Sequence, residues 1–492
     1  MIPVTKLESS TVATEKRQLF IGGESVSALD GRTTDDLNPY TGEVYAVVAA
    51  AGVADVTRAV DAAQEAFASW SATSPSQRRG ILLKAADALE ARTPEVISLM
   101  AGEVGGVGGW AGFNVMLAAN MLREAAAAVT QPVGEVLTTE TPGQLSLAVR
   151  EPLGVIAAFA PWNAPVILST RAVAAPLAAG NTVVLKPSED APIAAGLLIA
   201  DVLHEAGLPA GVLNVVTNAP EDAAEIARAL ITDTRVQAVN FTGSTEVGRI
   251  VGTLAAQHLK PAVLELGGKN SLLVLDDADL DHAVSAATFS AFFNAGQICM
   301  SADRILVHQS VAEEFTAKFA AKVGSLPHGD PADPGTAIGP VISQRAADRV
   351  AALVAEAVSE GAQVRAGGDG KATVLDGVTP RMRIFQEEIF GPAVVIVTVA
   401  DDDEAVAIAN DTDHGLTAGI LTEDSRRGFA LAQRIRTGIV HVGNQTVDDE
   451  PQAPFGGVKA SGYGRFGGRW GLEAFSATRW VTVAGGHGHF PL

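Results

Sequence analysis

Residues 155–163 read VIAAFAPWN, an unbroken apolar run that ends in a polar loop, and residues 182–189 repeat the pattern as TVVLKPSE. Such runs, separated by helices, predict parallel sheets covered on both faces. Helical spacing predicts helices at Asp55–Trp70 and Gln77–Ala91. The sequence therefore predicts a doubly wound α/β architecture. The nine predicted strands are Val155–Ala160, Thr182–Leu185, Val212–Val216, Ala238–Phe241, Ala262–Leu266, Leu272–Leu275, Ile305–Val307, Val394–Val399 and Ile439–Val442.

The composition of the chain limits its class. Its 492 residues, 47% of them apolar, predict a globular protein with two or three domains. A formal net charge of -21 argues against partners such as nucleic acid or an anionic membrane surface. We expect neither a membrane span nor a signal peptide, because no long apolar stretch occurs. The single cysteine excludes an internal disulfide and suits a reducing, cytoplasmic setting.

Both ends of the chain are predicted to be loosely structured. Residues 1–18 are polar, and residues 485–492 read GGHGHFPL. The two histidines of this tail are not joined by a cysteine or carboxylate cluster, so the sequence predicts no metal site.

Three residues are candidates for catalysis. Cys299 ends the segment GQIC; a thiolate is a strong nucleophile, although a lone cysteine is more often a small buried residue. Glu265 lies among apolar residues in LELGGK, which favours a general base over a buried salt bridge, because the adjacent glycines let the backbone approach a ligand. Asn163 follows a predicted strand and is either an oxyanion donor or a turn residue.

Two further segments suit a dinucleotide. Lys186 and Glu189 either bond ribose hydroxyls or form a surface pair. The segment FTGSTEVG at 241–248 opens a helix, whose free N–H groups and Ser244 can hold a pyrophosphate. No G-x-G-x-x-G fingerprint occurs, and the glycines at 102–112 do not match its spacing.

Taken together, the motifs resemble the aldehyde dehydrogenase superfamily over about residues 18–484. Their order is PWN, KPSE, FTGSTEVG, LELGGK, GQIC, EEIFGP at 387–392 and PFGGVKASGYGR at 454–465. The segment Thr217-Asn218-Ala219-Pro220 departs from the pattern, because it lacks the glycine-rich turn that many relatives carry beside the cofactor. We therefore carry over no cofactor contact to this segment.

The resemblance implies a mechanism and a cofactor. Cys299 attacks the aldehyde carbon, Asn163 and the Cys299 N–H hold the oxyanion, hydride passes to NAD, and Glu265 activates the water that releases the acid. Glu189 should favour NAD over NADP. The implied cofactor-binding residues are Pro161, Trp162, Lys186, Ser188, Glu189, Gly243, Ser244, Val247, Leu266, Glu388, which should contact the nicotinamide ribose, and Phe390, which should pack beside the nicotinamide.

Three segments resemble the corresponding sequences of salicylaldehyde, vanillin and benzaldehyde dehydrogenases: residues 113–124, PWNAPVIL and TVDDEPQAPFGG. We therefore expect an aromatic aldehyde as substrate. Arg171 is expected either to bond a ring hydroxyl or phenolate, or to pair with Asp449 and shape the pocket. The residues expected to line the substrate funnel are Asn114, Ile167, Arg171, Phe293, Asp449 and Phe455.

The resemblance also implies three structural parts: an NAD-binding domain of Rossmann type (18–130 and 151–262), an α/β catalytic domain (263–450) and a small β oligomerisation element (131–150 and 470–492). A hairpin around 131–150 should pair with a terminal strand around 479–484. A homodimer or homotetramer is expected, because an exposed strand edge is a liability.

Four other functions compete with this one. An acylating relative would pass the thioester to coenzyme A but usually lacks the glutamate base, and an esterase would use the cysteine without NAD. A third alternative is a dehydrogenase of aliphatic aldehydes or semialdehydes. The fourth, from another class, is a non-catalytic structural or binding protein of this fold, as some lens crystallins are. Formation of NADH from NAD and benzaldehyde would distinguish an active dehydrogenase from this last class.

Overall fold

The computed structural model describes residues 15–487. Most of the predicted N-terminal arm and part of the C-terminal tail lie outside the described residues. The strands are β1 (Glu15–Arg17), β2 (Leu19–Ile21), β3 (Glu24–Val26), β4 (Thr33–Leu37), β5 (Val44–Ala49), β6 (Gly134–Leu137), β7 (Leu145–Pro152), β8 (Val155–Ala160), β9 (Thr182–Pro187), β10 (Leu213–Val215), β11 (Val236–Thr242), β12 (Ala262–Glu265), β13 (Asn270–Val274), β14 (Ala302–His308), β15 (Gln363–Gly368), β16 (Lys371–Asp376), β17 (Ala393–Val399), β18 (Thr417–Leu421), β19 (Ile439–Val442), β20 (Gly462–Tyr463) and β21 (Ser476–Val483).

The helices begin and end where the sequence supplies caps and apolar stripes. Val56, Ala59, Val60 and Ala63 face the core along the first helix, and Ser74 caps the second. The helices are α1 (Val53–Ser71), α2 (Pro75–Ala91), α3 (Thr93–Glu103), α4 (Gly108–Ala128), α5 (Pro165–Ala179), α6 (Leu198–Glu205), α7 (Ala223–Thr232), α8 (Thr245–Gln257), α9 (Leu280–Phe292), α10 (Ala312–Gly324), α11 (Gln344–Ser359), α12 (Arg383–Gln386), α13 (Asp402–Asn410), α14 (Ser425–Ala432) and α15 (Gly468–Ala474).

An eight-stranded sheet has the order β20-β12-β11-β8-β9-β10-β2-β3. Its central strands, β12 to β10, are parallel, whereas β20, β2 and β3 pair antiparallel at the edges. The chain runs outward from β8 to β10 and then returns to β11 on the other side of β8. This reversal leaves a crevice at the carboxyl ends of β8 and β11, where doubly wound sheets bind ligands.

A seven-stranded sheet has the order β15-β16-β17-β14-β13-β18-β19. Its strands are parallel except for β15, so the prediction of parallel sheets is correct at the centre and wrong at one edge of this sheet and both edges of the other. All nine predicted strands are present, with bounds shifted by a few residues. Strand β18 was not predicted. Its sequence is TAGIL, and a Cβ on Gly419 would lie 2.7 Å from a Leu272 methyl group, so close packing requires the weak strand former glycine here.

A third sheet has the order β21-β7-β6, and β21 pairs with β7 along its whole length. This is the hairpin-to-terminal-strand pairing that the resemblance implies. A fourth sheet joins β1, β5 and β4 near the N-terminus. Within residues 15–487, no helix combines the length and apolar character that a bilayer-spanning segment requires.

The two large sheets meet edge to edge at the site. Strand β12 ends at Glu265, and β13 of the second sheet begins at Asn270, so only four residues separate the two sheets in the chain. Residues at the carboxyl ends of β8, β11 and β12 share one cavity with residues that precede strands of the second sheet. Cys299 precedes β14 and Glu388 precedes β17, so both approach this cavity from the second sheet.

Candidate active site

A cavity of about 850 Å³ lies in the gap between the two large sheets. The three catalytic candidates and the segment at the start of α8 reach it. Of the residues predicted from the sequence, those that line it are Pro161, Trp162, Asn163, Gly243, Ser244, Glu265, Cys299, Glu388 and Phe390.

The loop before Cys299 has a strained backbone. Asn294 and Ala295 have φ values of 51° and 53°, and Gly296 has 72°, so three consecutive residues are left-handed. A Cβ on Gly296 would overlap Gly391 O, which explains the glycine. Beyond the turn, Asn270 Nδ2 donates to Cys299 O over 2.7 Å. The cysteine is thus held between a tight turn and a fixed amide.

Glu265 and Cys299 influence each other electrostatically. Burial raises the pKa of Glu265 to about 7, while the Arg171 charge and an interaction with the Cys299 thiol oppose this rise. Burial and the neighbouring Glu265 charge raise the pKa of the Cys299 thiol well above its usual value. The free site therefore holds a protonated thiol beside a carboxyl group that titrates near neutral pH, which suits proton transfer between them.

Asn163 is fixed from both ends. Its backbone carbonyl accepts hydrogen bonds from Trp110 Nε1 and Asn294 Nδ2, each over 3.0 Å. Its side-chain Nδ2 donates to Gln297 O over 3.0 Å. An amide nitrogen carries two hydrogens, so this bond orients the group and leaves a second donor beside the Cys299 loop. The roles of Trp110 and Asn294 were not predicted, because their partners lie far away in the sequence.

Glu388 reaches the cavity from the loop before β17. Its Oε1 accepts a hydrogen bond from Gly268 N over 2.9 Å, and a Cβ on Gly267 would overlap its carboxylate. Burial raises the pKa of Glu388 to about 8. Phe390, with φ of 47°, contacts Trp162 edge-to-face at 5.6 Å between ring centroids. Gly267 is therefore needed so that the Glu388 carboxylate can approach, whereas a Cβ on Gly268 would overlap Cys299 O.

The other end of the crevice can hold an adenosine. Helix α8 is capped by Ser244, whose Oγ accepts from Val247 N over 3.3 Å, so the free N–H groups of its first turn form an anion site. A second cavity, of about 630 Å³, is lined by Lys186, Ser188, Glu189 and Val247. The helices α7 and α8 form its walls.

Leu266, which the resemblance implies as a cofactor-binding residue, lines neither of these two cavities. Its side chain packs against Gly248 on α8, where a Cβ would clash, and lines a groove on the other side of that helix. Its neighbour Gly267 lines the cofactor cavity instead. The alternation of side chains along the β12 segment accounts for this placement.

The predicted substrate residues do not line the Cys299 cavity. Arg171 forms a buried ion pair with Asp449, and its guanidinium lies 4.0 Å from the Phe455 ring centroid. These three residues border a smaller cavity, of about 40 Å³. The Arg171 charge nevertheless lowers the pKa of Glu265, opposing the effect of burial.

An aromatic cluster flanks the oxyanion residue. Phe293 stacks on Phe289 at 4.5 Å and contacts Trp110 edge-to-face at 5.0 Å, and Phe113 stacks on Trp110 at 5.6 Å. Phe289, at 38% exposure, carries this cluster to the surface. Only Phe293 of these four was predicted as a substrate residue.

Asn114 and Ile167 lie next to this aromatic cluster. Asn114 is fully buried; it donates to Trp110 O over 3.0 Å and accepts from Ile167 N over 3.3 Å. Ile167 is also buried. The bond to Ile167 N joins α4 to α5, and one hydrogen of the Asn114 amide remains, so a contact between Asn114 and the substrate stays a prediction.

Several residues of the large cavity were not predicted from the sequence. Arg349 donates to Glu388 O over 3.2 Å and to Ile389 O, and so holds the loop that carries Glu388. Arg345 and His414 also line the cavity. Both arginines belong to α11, whose sequence looks like any amphipathic surface helix, so only the three-dimensional structure places them at the site.

Comparison with known proteins agrees with this geometry. Residues 26–481 match the model of the aldehyde dehydrogenase family. The chain is 53% identical to a vanillin dehydrogenase of Pseudomonas fluorescens over 479 residues, covering 96% of this chain and 99% of that protein. It is similar to the crystal structure of a salicylaldehyde dehydrogenase from Pseudomonas putida G7 complexed with salicylaldehyde, with TM-score 0.95, 44% identity and coverage of 97% and 100%.

A third similar protein is a betaine aldehyde dehydrogenase from Staphylococcus aureus in complex with NAD+. It has TM-score 0.92 and 30% identity, with coverage of 96% of this chain and 95% of that one. The match of the family model to nearly the whole chain, together with these full-length similarities, shows that this chain is an oxidoreductase that belongs to the aldehyde dehydrogenase family.

Proposed function

We propose that this protein oxidises an aromatic aldehyde to the carboxylic acid with NAD, through a thioester on Cys299. The observation that carries the proposal is that Cys299, Glu265 and Asn163 line one cavity, which Ser244 at the start of α8 and Glu388 also line. A nucleophile, a base and an amide donor in such a place form a constellation for acyl chemistry at a carbonyl carbon.

The crevice fits a nicotinamide dinucleotide. The α8 N-terminus and Ser244 suit a pyrophosphate, Lys186 and Glu189 suit the adenosine ribose, and Glu388 suits the nicotinamide ribose. A Cβ on Gly267 would overlap the Glu388 carboxylate, so the glycine keeps that carboxylate in the cavity. When bound, the cofactor accepts the hydride that the aldehyde carbon releases.

The first chemical task of the protein is attack on the aldehyde. The Cys299 thiol gives its proton to the Glu265 carboxylate, and the sulfur bonds to the carbonyl carbon. The oxygen of that carbon becomes negatively charged and accepts hydrogen bonds from the Asn163 amide and the Cys299 backbone N–H. Donors fixed in advance stabilise such a charge more than mobile water does. Loss of hydride then leaves a thioester on Cys299.

The second task is hydrolysis. Glu265 first releases the thiol proton to solvent and so becomes a carboxylate again. It then takes a proton from water, the hydroxide adds to the thioester carbon, and Cys299 leaves as a thiolate that receives this second proton from Glu265. No nitrogen or hydroxyl group among the described residues donates to the Glu265 oxygens, so they are available to water once the thiol has reacted. Glu265 also disfavours the acylating alternative, in which coenzyme A replaces water.

Two features support an aromatic substrate. The cluster of Trp110, Phe113, Phe289 and Phe293 offers ring faces and edges beside the oxyanion residue. Similar proteins are named for vanillin and salicylaldehyde, which are both hydroxylated benzaldehydes. Arg171, near Glu265, is the cation that can bond a ring hydroxyl or phenolate, even though its guanidinium also binds Asp449.

We also propose an oligomer and a division into domains. In β21, Trp480 is 71% exposed, and in β6, Val136 is 75% exposed, so the small sheet presents an apolar surface that a second subunit can cover. We retain the division into an NAD-binding domain (18–130 and 151–262), a catalytic domain (263–450) and an oligomerisation element (131–150 and 470–492).

The test is a panel of aldehydes assayed by NADH absorbance. We expect kcat/KM to be highest for benzaldehydes and lower for acetaldehyde and betaine aldehyde. The same preparation should show no acyl-coenzyme A product when coenzyme A is added. A preference for aliphatic aldehydes over every benzaldehyde would overturn the aromatic assignment, and ester hydrolysis without any NADH formation would overturn the oxidative reaction.

A further inference from the structure

The adenosine side of the crevice contains a segment whose sequence departs from the family pattern. Thr217 and Asn218, which follow β10, are almost completely buried. Thr217 Oγ1 donates to Ala49 O over 2.6 Å, and Ala51 N donates to Thr217 O over 2.8 Å. These bonds tie the segment to the end of β5, so its backbone is held on two sides.

The Asn218 side chain binds Glu189. Its Nδ2 donates to Glu189 Oε1 over 2.9 Å and to Ala219 O over 2.8 Å. Lys186 forms its ion pair with the same oxygen of Glu189. Both contacts fall on Oε1, so neither of them occupies Oε2. The carboxylate is fixed through one oxygen and can offer the other to a ligand in the adenosine cavity, which Glu189 lines.

The neighbours of the Asn218 amide favour one of its two orientations. Its Oδ1 is buried without a hydrogen-bond partner among residues 15–487. Turning the amide over would place this oxygen against the Glu189 carboxylate and lose both bonds of Nδ2. The bond to Glu189 therefore decides which way the amide points.

We propose that Asn218 is a positioning residue that sets the preference for NAD over NADP, by holding the Glu189 carboxylate toward the adenosine ribose. A carboxylate held there accepts hydrogen bonds from the ribose hydroxyls and repels a 2′-phosphate. The inference rests on the proposed preference for NAD and explains how the chain enforces it.

Lys186 alone does not enforce this preference. Its ammonium group also donates to Pro187 O over 3.2 Å, but as a cation on a flexible stem it can pair with a 2′-phosphate as well as with the carboxylate. Asn218 lies on a backbone tied to β5 and cannot follow a displaced carboxylate. If Glu189 turns away to admit a 2′-phosphate, the Asn218 N–H loses its partner in a buried place, which is unfavourable. Removing the amide removes this obstacle.

The experiment compares wild type with Asn218→Leu, which keeps the side-chain volume but has no donor, and with Asn218→Ala, which is smaller. The kcat/KM for NADP divided by that for NAD, with one benzaldehyde, should rise on the order of tenfold in both variants, equivalent to about 1.4 kcal/mol. Adenosine 2′,5′-bisphosphate should also become a better inhibitor relative to 5′-AMP, which tests the ribose site without hydride transfer.

Asn214→Leu is the matched control. Asn214 is equally buried on β10, where it accepts from Gly22 N over 2.8 Å and donates to Gly211 O over 2.8 Å, but it does not contact Glu189. It should lower the unfolding temperature and leave the cofactor ratio unchanged. An equal shift of the ratio in Asn214→Leu would mean general loosening of the sheet and would overturn the role of Asn218.

Two other outcomes separate this inference from the proposed function. If wild type prefers NAD and the Asn218 variants keep the wild-type ratio, Asn218 does not set the preference and the inference alone is overturned. If wild type uses NAD and NADP equally, the proposed preference fails, and the inference fails with it.

Discussion

The Glu265 carboxyl group and the Cys299 thiol face the same cavity, and the charge of the first raises the pKa of the second. They approach from different sheets: Glu265 ends β12, and Cys299 precedes β14. Because the carboxyl group titrates at about 7, it is half ionised under ordinary conditions. The free enzyme thus keeps its nucleophile protonated and stores a base beside it.

Thiol alkylation tests this coupling directly, since Cys299 is the only cysteine in the chain. In Glu265→Gln the neighbouring negative charge is absent, so the thiol pKa falls and the curve of iodoacetamide reactivity against pH moves to lower pH. The control is Glu387→Gln, an exposed carboxylate on the same cavity rim. An alkylation curve that moves to higher pH instead would show that Glu265 acts only as a base toward the thiol.

The same variant tests hydrolysis. Glu265→Gln should release about one equivalent of NADH in a burst and then turn over slowly, because the thioester lacks its base; such losses commonly reach several powers of ten. In wild type, the deacylation rate should rise as pH increases through about 7, where Glu265 ionises, and then level off. Stopped-flow traces provide both measurements, and full steady-state turnover in the variant would exclude Glu265 as the base.

Burial of Glu265 also reduces stability above neutral pH. Its folded pKa of about 7 lies above the usual 4.5, so the proton stabilises the fold. At pH below 4.5 Glu265 is protonated in both the folded and the unfolded state, so its ionisation does not lower the free energy of unfolding. Above that pH the unfolded state ionises first, and once the pH has risen through 7 the folded protein has lost about 3 kcal/mol of stability. Glu265→Gln should therefore unfold at a higher temperature than wild type at pH 8, and this difference should largely disappear at pH 5. A lower unfolding temperature at pH 8 would contradict the raised pKa.

Cys299→Ala separates binding from chemistry. The variant should form no thioester and lose oxidation by several powers of ten, while its affinity for NAD changes little, because the predicted cofactor contacts come from other residues. Fluorescence titration measures the affinity, and NADH absorbance measures the rate. Substantial turnover without the thiol would contradict the covalent mechanism.

The sequence predicted the parts of the site that lie at strand ends. Asn163, Glu265 and Ser244 each follow a strand of one parallel sheet, and carboxyl ends of parallel strands share an edge, so the pattern alone indicates that they meet. It could not predict which side of α8 Leu266 faces. That placement depends on Gly248, whose missing side chain leaves room for the leucine.

Contacts between distant elements account for most of what the sequence did not predict. Trp110 fixes the Asn163 carbonyl from 53 residues away, and Arg349 holds the Glu388 loop from 39 residues away. Asn114 accepts a hydrogen bond from Ile167 N, 53 residues away, and so joins α4 to α5. These roles depend on side-chain directions after packing, and periodicity of the sequence does not contain that information.

Arg171 provides the last prediction, because its two expected roles respond differently to mutation. If the guanidinium hydrogen-bonds the ring substituent, Arg171→Leu should lower kcat/KM for hydroxylated benzaldehydes about tenfold or more and change kcat/KM for benzaldehyde little. The reason is that a buried polar site discriminates strongly against substrates that lack the bonding group. The complication is Asp449: burial raises the pKa of this partner, and loss of Arg171 leaves its carboxyl group without its cation. Breaking a buried pair typically costs about 3–5 kcal/mol of stability.

The double variant Arg171→Leu/Asp449→Leu removes both charges and serves as the control. We expect it to regain stability while still discriminating against hydroxylated rings. Equal losses for benzaldehyde and its hydroxylated forms in both variants would leave Arg171 with the structural role, as the partner of Asp449 over the Phe455 ring.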